Sequence, residues 1–187
     1  MTFFLATGLP RSRTAWMARF LTYGRVTCLH EPSVGFRSMA DLAGLLAQPH
    51  IGASDSAMAL LWPRVARWVP KARFAVVRRP VEDVVASAAR LGFADTAAMR
   101  ETLAAIEAAC DQLSARDGTL TLRYDELDTE EGCALLFRQC LGVDLPHEWW
   151  LRWRDEHVEA DVGERWQEAA ANIAGIRAVF GGRMVHA

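Results

Sequence analysis

The first place where this chain could do chemistry is a loop. Ala6 to Trp16 reads ATGLPRSRTAW, directly after the apolar run Phe3-Phe4-Leu5. Gly8 lets the backbone turn tightly. Ser12 and Thr14 carry hydroxyl donors, and Arg11 and Arg13 carry forked N–H donors suited to phosphate. If a helix starts here, its first N–H groups favour an anion as well. The same residues also make a plain turn, with Ser12 as N-cap and the arginines in solvent. The common nucleotide-binding pattern Gly-x-x-x-x-Gly-Lys-Ser/Thr is broken. Counted from Gly8, its second glycine falls on Arg13 and its lysine on Thr14.

Other polar groups recur just after apolar segments. His30-Glu31-Pro32 offers an imidazole and a carboxylate, either of which can act as a general base. Ser54-Asp55-Ser56 reads as a helix cap. Arg78-Arg79-Pro80 follows a strongly apolar run and precedes a helix that carries Ser87. Two arginines there require an anion or a carboxylate partner, and Glu82 and Asp83 are the nearest acids in sequence. Asp125 follows a further strand. Asp55 or Asp125 could hold magnesium in a phosphoryl-transfer enzyme.

The elements that must position these residues can be read from periodicity. Strands are expected at 2–7, 25–29, 50–54, 73–78 and 119–124. Helices are expected at 12–23, from Ser38 to about Ala47, at 63–69, from Pro80, at about 96–115, and from Thr129 onward. Ser38 and Asp41 resemble a capping box. Gly142, Pro146 and Gly163 punctuate the last region. Strands that alternate with helices imply βαβ units and an α/β fold, a central parallel sheet flanked by helices. In such sheets ligands sit beyond the carboxyl ends of the strands, where each polar group above falls. The second strand is expected to lie beside the first. If the loop after it is extended, His30 and Glu31 point to opposite sides.

The 187 residues suit one domain, and 51% are hydrophobic, enough for a core without disulfides. The net charge of -2 argues against general nucleic-acid binding. Cys28, Cys110, Cys133 and Cys140 show no metal-ligand spacing and are expected to be reduced, which suits a cytoplasmic protein. No stretch is long enough for a membrane span or a signal peptide. His147 to His157, HEWWLRWRDEH, places Trp149, Trp150 and Trp153 at helical spacing, as core or as a pocket or partner surface.

Two of these segments resemble the sulfotransferase family. GLPRSRTAW resembles its 5′-phosphosulfate loop, Pro-Lys/Arg-Ser-Gly-Thr-x-Trp/Leu. WVPKARFAVVRRPVEDVVAS resembles its 3′-phosphate element, in which Arg-x-Pro is followed by a helix bearing Ser. RYDEL, HEP and VGERWQEA are fainter likenesses, and the chain departs from the family near its C-terminus, where Gly181-Gly182-Arg183 is a poor substitute for a basic, glycine-containing loop. The resemblance implies a P-loop-like fold and a chain that binds 3′-phosphoadenosine 5′-phosphosulfate (PAPS), without a metal. It assigns Gly8, Pro10, Arg11, Ser12, Arg13, Thr14, Ala15 and Trp16 to the 5′ side of that donor. Ser87 and one of Arg78 and Arg79 would take the 3′-phosphate. Arg78 fits the Arg-x-Pro pattern, whereas Arg79 has the family's eight-residue spacing to Ser87. Arg11 would steady charge on the leaving phosphate. Glu31 would be the general base, with His30 the runner-up. Arg13 stands where the family has glycine. The acceptor would be a small molecule or another hydroxyl or amine carrier, and a homo-oligomer is compatible with the reading. The alternatives are a catalytically inactive, sulfotransferase-like binding or partner protein, and a P-loop small-molecule kinase.

Overall fold

The computed structural model describes residues 2–156 and 158. Gly163, VGERWQEA, Gly181-Gly182-Arg183 and His157 lie outside the described residues.

Five strands form one parallel sheet: β1 (Phe4–Gly8), β2 (Thr27–His30), β3 (Ile51–Ser54), β4 (Arg73–Arg78) and β5 (Thr119–Arg123), in the order β2-β3-β1-β4-β5. β1 is buried along its whole length and pairs with β4 from Phe4↔Arg73 to Gly8↔Val77. Near-continuous apolar residues in these two strands suit a sheet covered on both faces.

Period-two alternation splits the core into two layers. Leu5, Phe74 and Val76 face one side. There they meet the apolar stripes of α2 (Met39–Leu46), α3 (Trp62–Trp68), α4 (Val81–Ala89) and α5 (Ala97–Ser114). Phe4, Ala6, Ala75 and Val77 face the other side, against α1 (Thr14–Phe20), α6 (Glu130–Leu141) and α7 (His147–Trp153). Caps stop the helices where the residue types dictate. Ser38 and Asp41 form the expected capping box of α2, Thr96 accepts from Met99 N at the start of α5, and Gly142 closes α6 with φ 76°.

Three expectations need correction. The second strand does not lie beside the first, because β3 runs between them. Its residues Ile51-Gly52-Ala53-Ser54 look weak as a strand because they are small. Their size is what admits them: a Cβ on Gly52 would meet the Phe4 ring at 2.1–2.5 Å. The first helix starts at Thr14 rather than Ser12, because Arg11 and Arg13 both have left-handed backbone, φ 66° and 64°. It ends at Phe20 rather than Tyr23, where Tyr23 and Val26 pair backbone to backbone in a turn. Short 3₁₀ turns at Pro32–Gly35, Ala57–Leu61 and Tyr124–Asp128 follow β2, β3 and β5. No periodicity announced them.

All four cysteines are buried free thiols, and burial pushes the thiols of Cys28, Cys110, Cys133 and Cys140 up. Trp150 is core, and Trp149 and Trp153 pack against the same layer. The indole N–H of Trp149 donates to Phe20 O, and that of Trp16 donates to Trp153 O. The tryptophans of α7 therefore anchor it to α1. Among the described residues no helix is long and apolar enough to cross a membrane.

Candidate functional site

Buried polar residues cost free energy unless they are satisfied, so their location is informative. Thr7, Ser12, Thr14, Ser33, Ser54, Asp55, Ser56 and Ser87 are the buried polar residues of the described chain. All but Ser87 lie in the last residues of β1 and β3, in the loops that follow β1, β2 and β3, or, for Thr14, at the first residue of α1, and Ser87 joins them through Arg11. The carboxyl edge of the sheet is thus the polar edge of the core.

The loop after β1 is shaped by steric limits. A Cβ on Gly8 would lie 2.4 Å from Val77 O, so only glycine lets β1 and β4 stay paired where the chain turns out. Ser12 N donates back to Leu9 O. Ser12 Oγ is buried without a hydrogen-bond partner among the described residues. Arg13 occupies a left-handed position that glycine would fill without strain, at a cost of about 1–2 kcal/mol. Contacts offset it: Arg13 meets Asp128 at 2.5 Å and stands over the rings of Tyr124 (5.0 Å) and Trp16 (5.9 Å). Arg13 is therefore tied to the loop after β5. Pro10 and Ala15 add no polar side chain to the loop.

The two arginines after β4 separate, as strand alternation requires. Arg78 follows the parity of Phe74 and Val76 and pairs with Asp111 of α5 at 2.5 Å. Arg79 follows the parity of Ala75 and Val77. It stacks on Tyr124 at 4.3 Å and donates to the carbonyl of Arg11. Arg79 Nε is buried with no hydrogen-bond partner among the described residues. Glu82 and Asp83, the acids nearest in sequence, are not the partners of Arg78. Glu82 binds Arg100 instead, in a surface cluster with Asp95. From the other side Arg11 Nε donates to Ser87 Oγ at 3.3 Å. Arg11, Arg79 and Ser87 thus meet across the ends of β1 and β4.

A second group forms where β2 and β3 end. Glu31 is left-handed, φ 47° and ψ 48°, so the loop is not extended and His30 and Glu31 do not diverge. His30 Nε2 is 4.0 Å from Glu31 Oε1 and 3.3 Å from Thr14 Oγ1. Glu31 Oε1 accepts from Ser56 N (3.3 Å) and Ser56 Oγ (3.2 Å). Only 20% of the Glu31 side chain is exposed. Burial first, and the nearby Asp55 charge second, push the Glu31 carboxyl up to about 8. The Ser56 and Thr14 donors act against that rise.

Asp55 is the expected cap. Its carboxylate accepts from Met58 N (2.9 Å) at the 3₁₀ turn, and from Ser33 N (2.8 Å) and Ser33 Oγ (2.9 Å) across the loops. Asp125 is exposed and pairs with Arg123 at 3.0 Å. Sequence reading singled out neither Ser33 nor Tyr124 nor Asp128 as a site residue. Serine and tyrosine in loops carry no periodic signal, and only the sheet order brings them here. No protein-family model matches this chain, and no curated protein matches it.

Proposed function

We propose that this chain is a sulfotransferase that binds PAPS at the carboxyl edge of the sheet and acts on a hydroxyl or amine. The observation that carries the reading is the contact of Arg11 with Ser87. It joins the two segments that resemble the family's 5′ and 3′ phosphate elements, 76 residues apart in the chain. The residues fit a ligand with two phosphate groups. Ser12 Oγ and Arg79 Nε are buried donors without a hydrogen-bond partner among the described residues, and Arg11, Thr14 and Ser87 stand beside them. When bound, PAPS supplies a sulfuryl group on a phosphate leaving group. Of the two arginines, Arg79 is the one we assign to the 3′-phosphate, because Arg78 is turned to Asp111.

The chain's own work is then electrostatic and proton-handling. Arg11 places a fixed cation beside the phosphate loop, where negative charge would grow. Glu31 accepts the proton of the acceptor. Its raised proton affinity makes the ionised carboxylate a stronger base than an ordinary one, and that ionised form builds up as pH rises toward about 8. His30, 4.0 Å away, can orient it or share its proton. A kinase reading finds less support, because Asp55 uses both carboxylate oxygens on Ser33 and Met58 and Asp125 pairs with Arg123 at the surface. Neither is set to hold magnesium.

The test is single-turnover sulfate transfer from PAPS to a panel of phenols, sugars and amines, alongside binding of adenosine 3′,5′-bisphosphate. Glu31→Gln should lower turnover about 10²–10⁴-fold with bisphosphate binding retained, and His30→Ala should matter less. A wild-type chain that neither binds the bisphosphate nor transfers sulfate refutes the proposal.

A further inference from the structure

Asp55 is wholly buried and belongs to no phosphate contact, yet its carboxylate ties together the loops after β2 and β3. Its backbone is fixed to the central strand: Asp55 N donates to Ala6 O (3.1 Å), and Thr7 Oγ1 donates to Asp55 O (2.7 Å). Its carboxylate then reaches two ways. Toward the loop after β2, it accepts from Ser33 N and Ser33 Oγ, two residues beyond Glu31. Toward its own turn, it accepts from Met58 N, which fixes the backbone around Ser56. Ser56 in turn donates twice to Glu31 Oε1. Glu31 N also donates to Ser54 O at 3.0 Å.

We infer that Asp55 is a positioning residue for Glu31, locking both the left-handed turn that carries the glutamate and the serine that holds its carboxyl. The inference deepens the base role assigned to Glu31 and rests on that reading for its catalytic meaning. A left-handed glutamate is strained and does not hold its conformation unaided. Ser33 on one flank and Ser56 on the other are the restraints, and one carboxylate organises both. A simple helix cap needs only the Met58 bond. The two bonds to Ser33 cross to another strand's loop and serve Glu31 instead.

The same placement has an electrostatic consequence. The titratable groups that reach Glu31 are His30 from β2 and Asp55 just after β3; Thr14 and Ser56 offer neutral donors. Asp55 is shielded from water and adds a like charge. Burial raises both carboxyls, and the Asp55 charge adds to the rise at Glu31. Removing the Asp55 charge therefore makes Glu31 easier to ionise, while removing its bonds loosens the turn. A cap that did not face Glu31 would leave its titration unchanged.

The experiment is a carboxyl ¹³C NMR titration of the intact chain, with the Glu31 resonance identified by its loss in Glu31→Gln. Wild-type Glu31 is expected to titrate near 8. In Asp55→Asn its midpoint should fall below the wild-type value, and the rising limb of the turnover–pH profile should move down with it. Ser33→Ala removes one bond only and serves if Asp55→Asn does not fold. It keeps the Asp55 charge and loosens the turn, so it is read as faster amide exchange at Glu31 N, whose bond to Ser54 O the turn protects. A wild-type Glu31 that titrates in the ordinary carboxylate range overturns the inference. So does an unchanged midpoint in a folded Asp55→Asn chain, or unchanged amide exchange at Glu31 N in Ser33→Ala. These readings need no turnover. Failure of PAPS chemistry with the predicted titration would strike the sulfotransferase reading alone.

Discussion

Replacing Arg79 with alanine tests the way β4 hands its two arginines to opposite faces. Arg79 reaches the phosphate loop through the Arg11 carbonyl and rests on Tyr124, whereas Arg78 is held by Asp111 on α5. If Arg79 contacts the 3′-phosphate, its removal loses a charged hydrogen bond worth about 1.5–3 kcal/mol. At tenfold per 1.4 kcal/mol, that is a loss of roughly 10- to 150-fold in affinity for adenosine 3′,5′-bisphosphate. The preference over AMP should fall by the same factor, because AMP lacks the group that Arg79 reads. Arg78→Ala breaks an ion pair whose side chains are 32% and 63% exposed. Such a pair is worth about 0–1 kcal/mol after solvent screening, so the melting temperature should move by no more than about 4 °C. Bisphosphate affinity should hold within about twofold, since a bond to Asp111 on the far layer contributes nothing to binding. The assay is isothermal calorimetry with both nucleotides on the two variants, with thermal unfolding as the check on folding. Arg78→Ala weakening the bisphosphate as much as Arg79→Ala does would refute the face assignment.

Two further outcomes follow from the same geometry. Gly8→Ala should cost about 1–3 kcal/mol as β1 and β4 move apart to relieve the contact with Val77 O. A thermal unfolding scan should show a drop of several degrees, together with weaker bisphosphate binding, and an unshifted transition would contradict the close approach. Glu31→Gln should stabilise the chain increasingly as pH rises. The folded carboxyl holds its proton to about 8, against 4.5 for an ordinary glutamate. Between those values the unfolded chain has already lost that proton, so wild-type stability falls by at most about 1.4 kcal/mol per pH unit. Glutamine escapes that loss, so the gap in melting temperature should be near zero below pH 4.5 and level off above about pH 8. A gap that does not change with pH would contradict the burial of Glu31.

The residue order alone determined the elements and most of the polar edge. Short apolar runs, one of them alternating, marked the strands, helical stripes lay between them, and the βαβ order required a parallel sheet with its ligands beyond the strand ends. Gly8, Arg11, Ser12, Thr14, Glu31 and Ser87 were therefore legible as site candidates. Alternation even requires Arg78 and Arg79 to part, although it does not say which one meets the loop. The tertiary structure decided that, because the identity of each face depends on which helices pack there. It also decided the strand order. Gly52, Ala53 and Ser54 carry little strand signal of their own, and their place between β1 and β2 is set by the Phe4 ring lying across Gly52. The left-handed turns at Arg11, Arg13 and Glu31 likewise have no local signature, since arginine and glutamate do not favour them. They are held by partners distant in sequence: Ser87 and Arg79 for Arg11, Asp128 and Tyr124 for Arg13, Ser56 for Glu31. A conformation that only remote contacts can stabilise cannot be read until the fold has brought those contacts together.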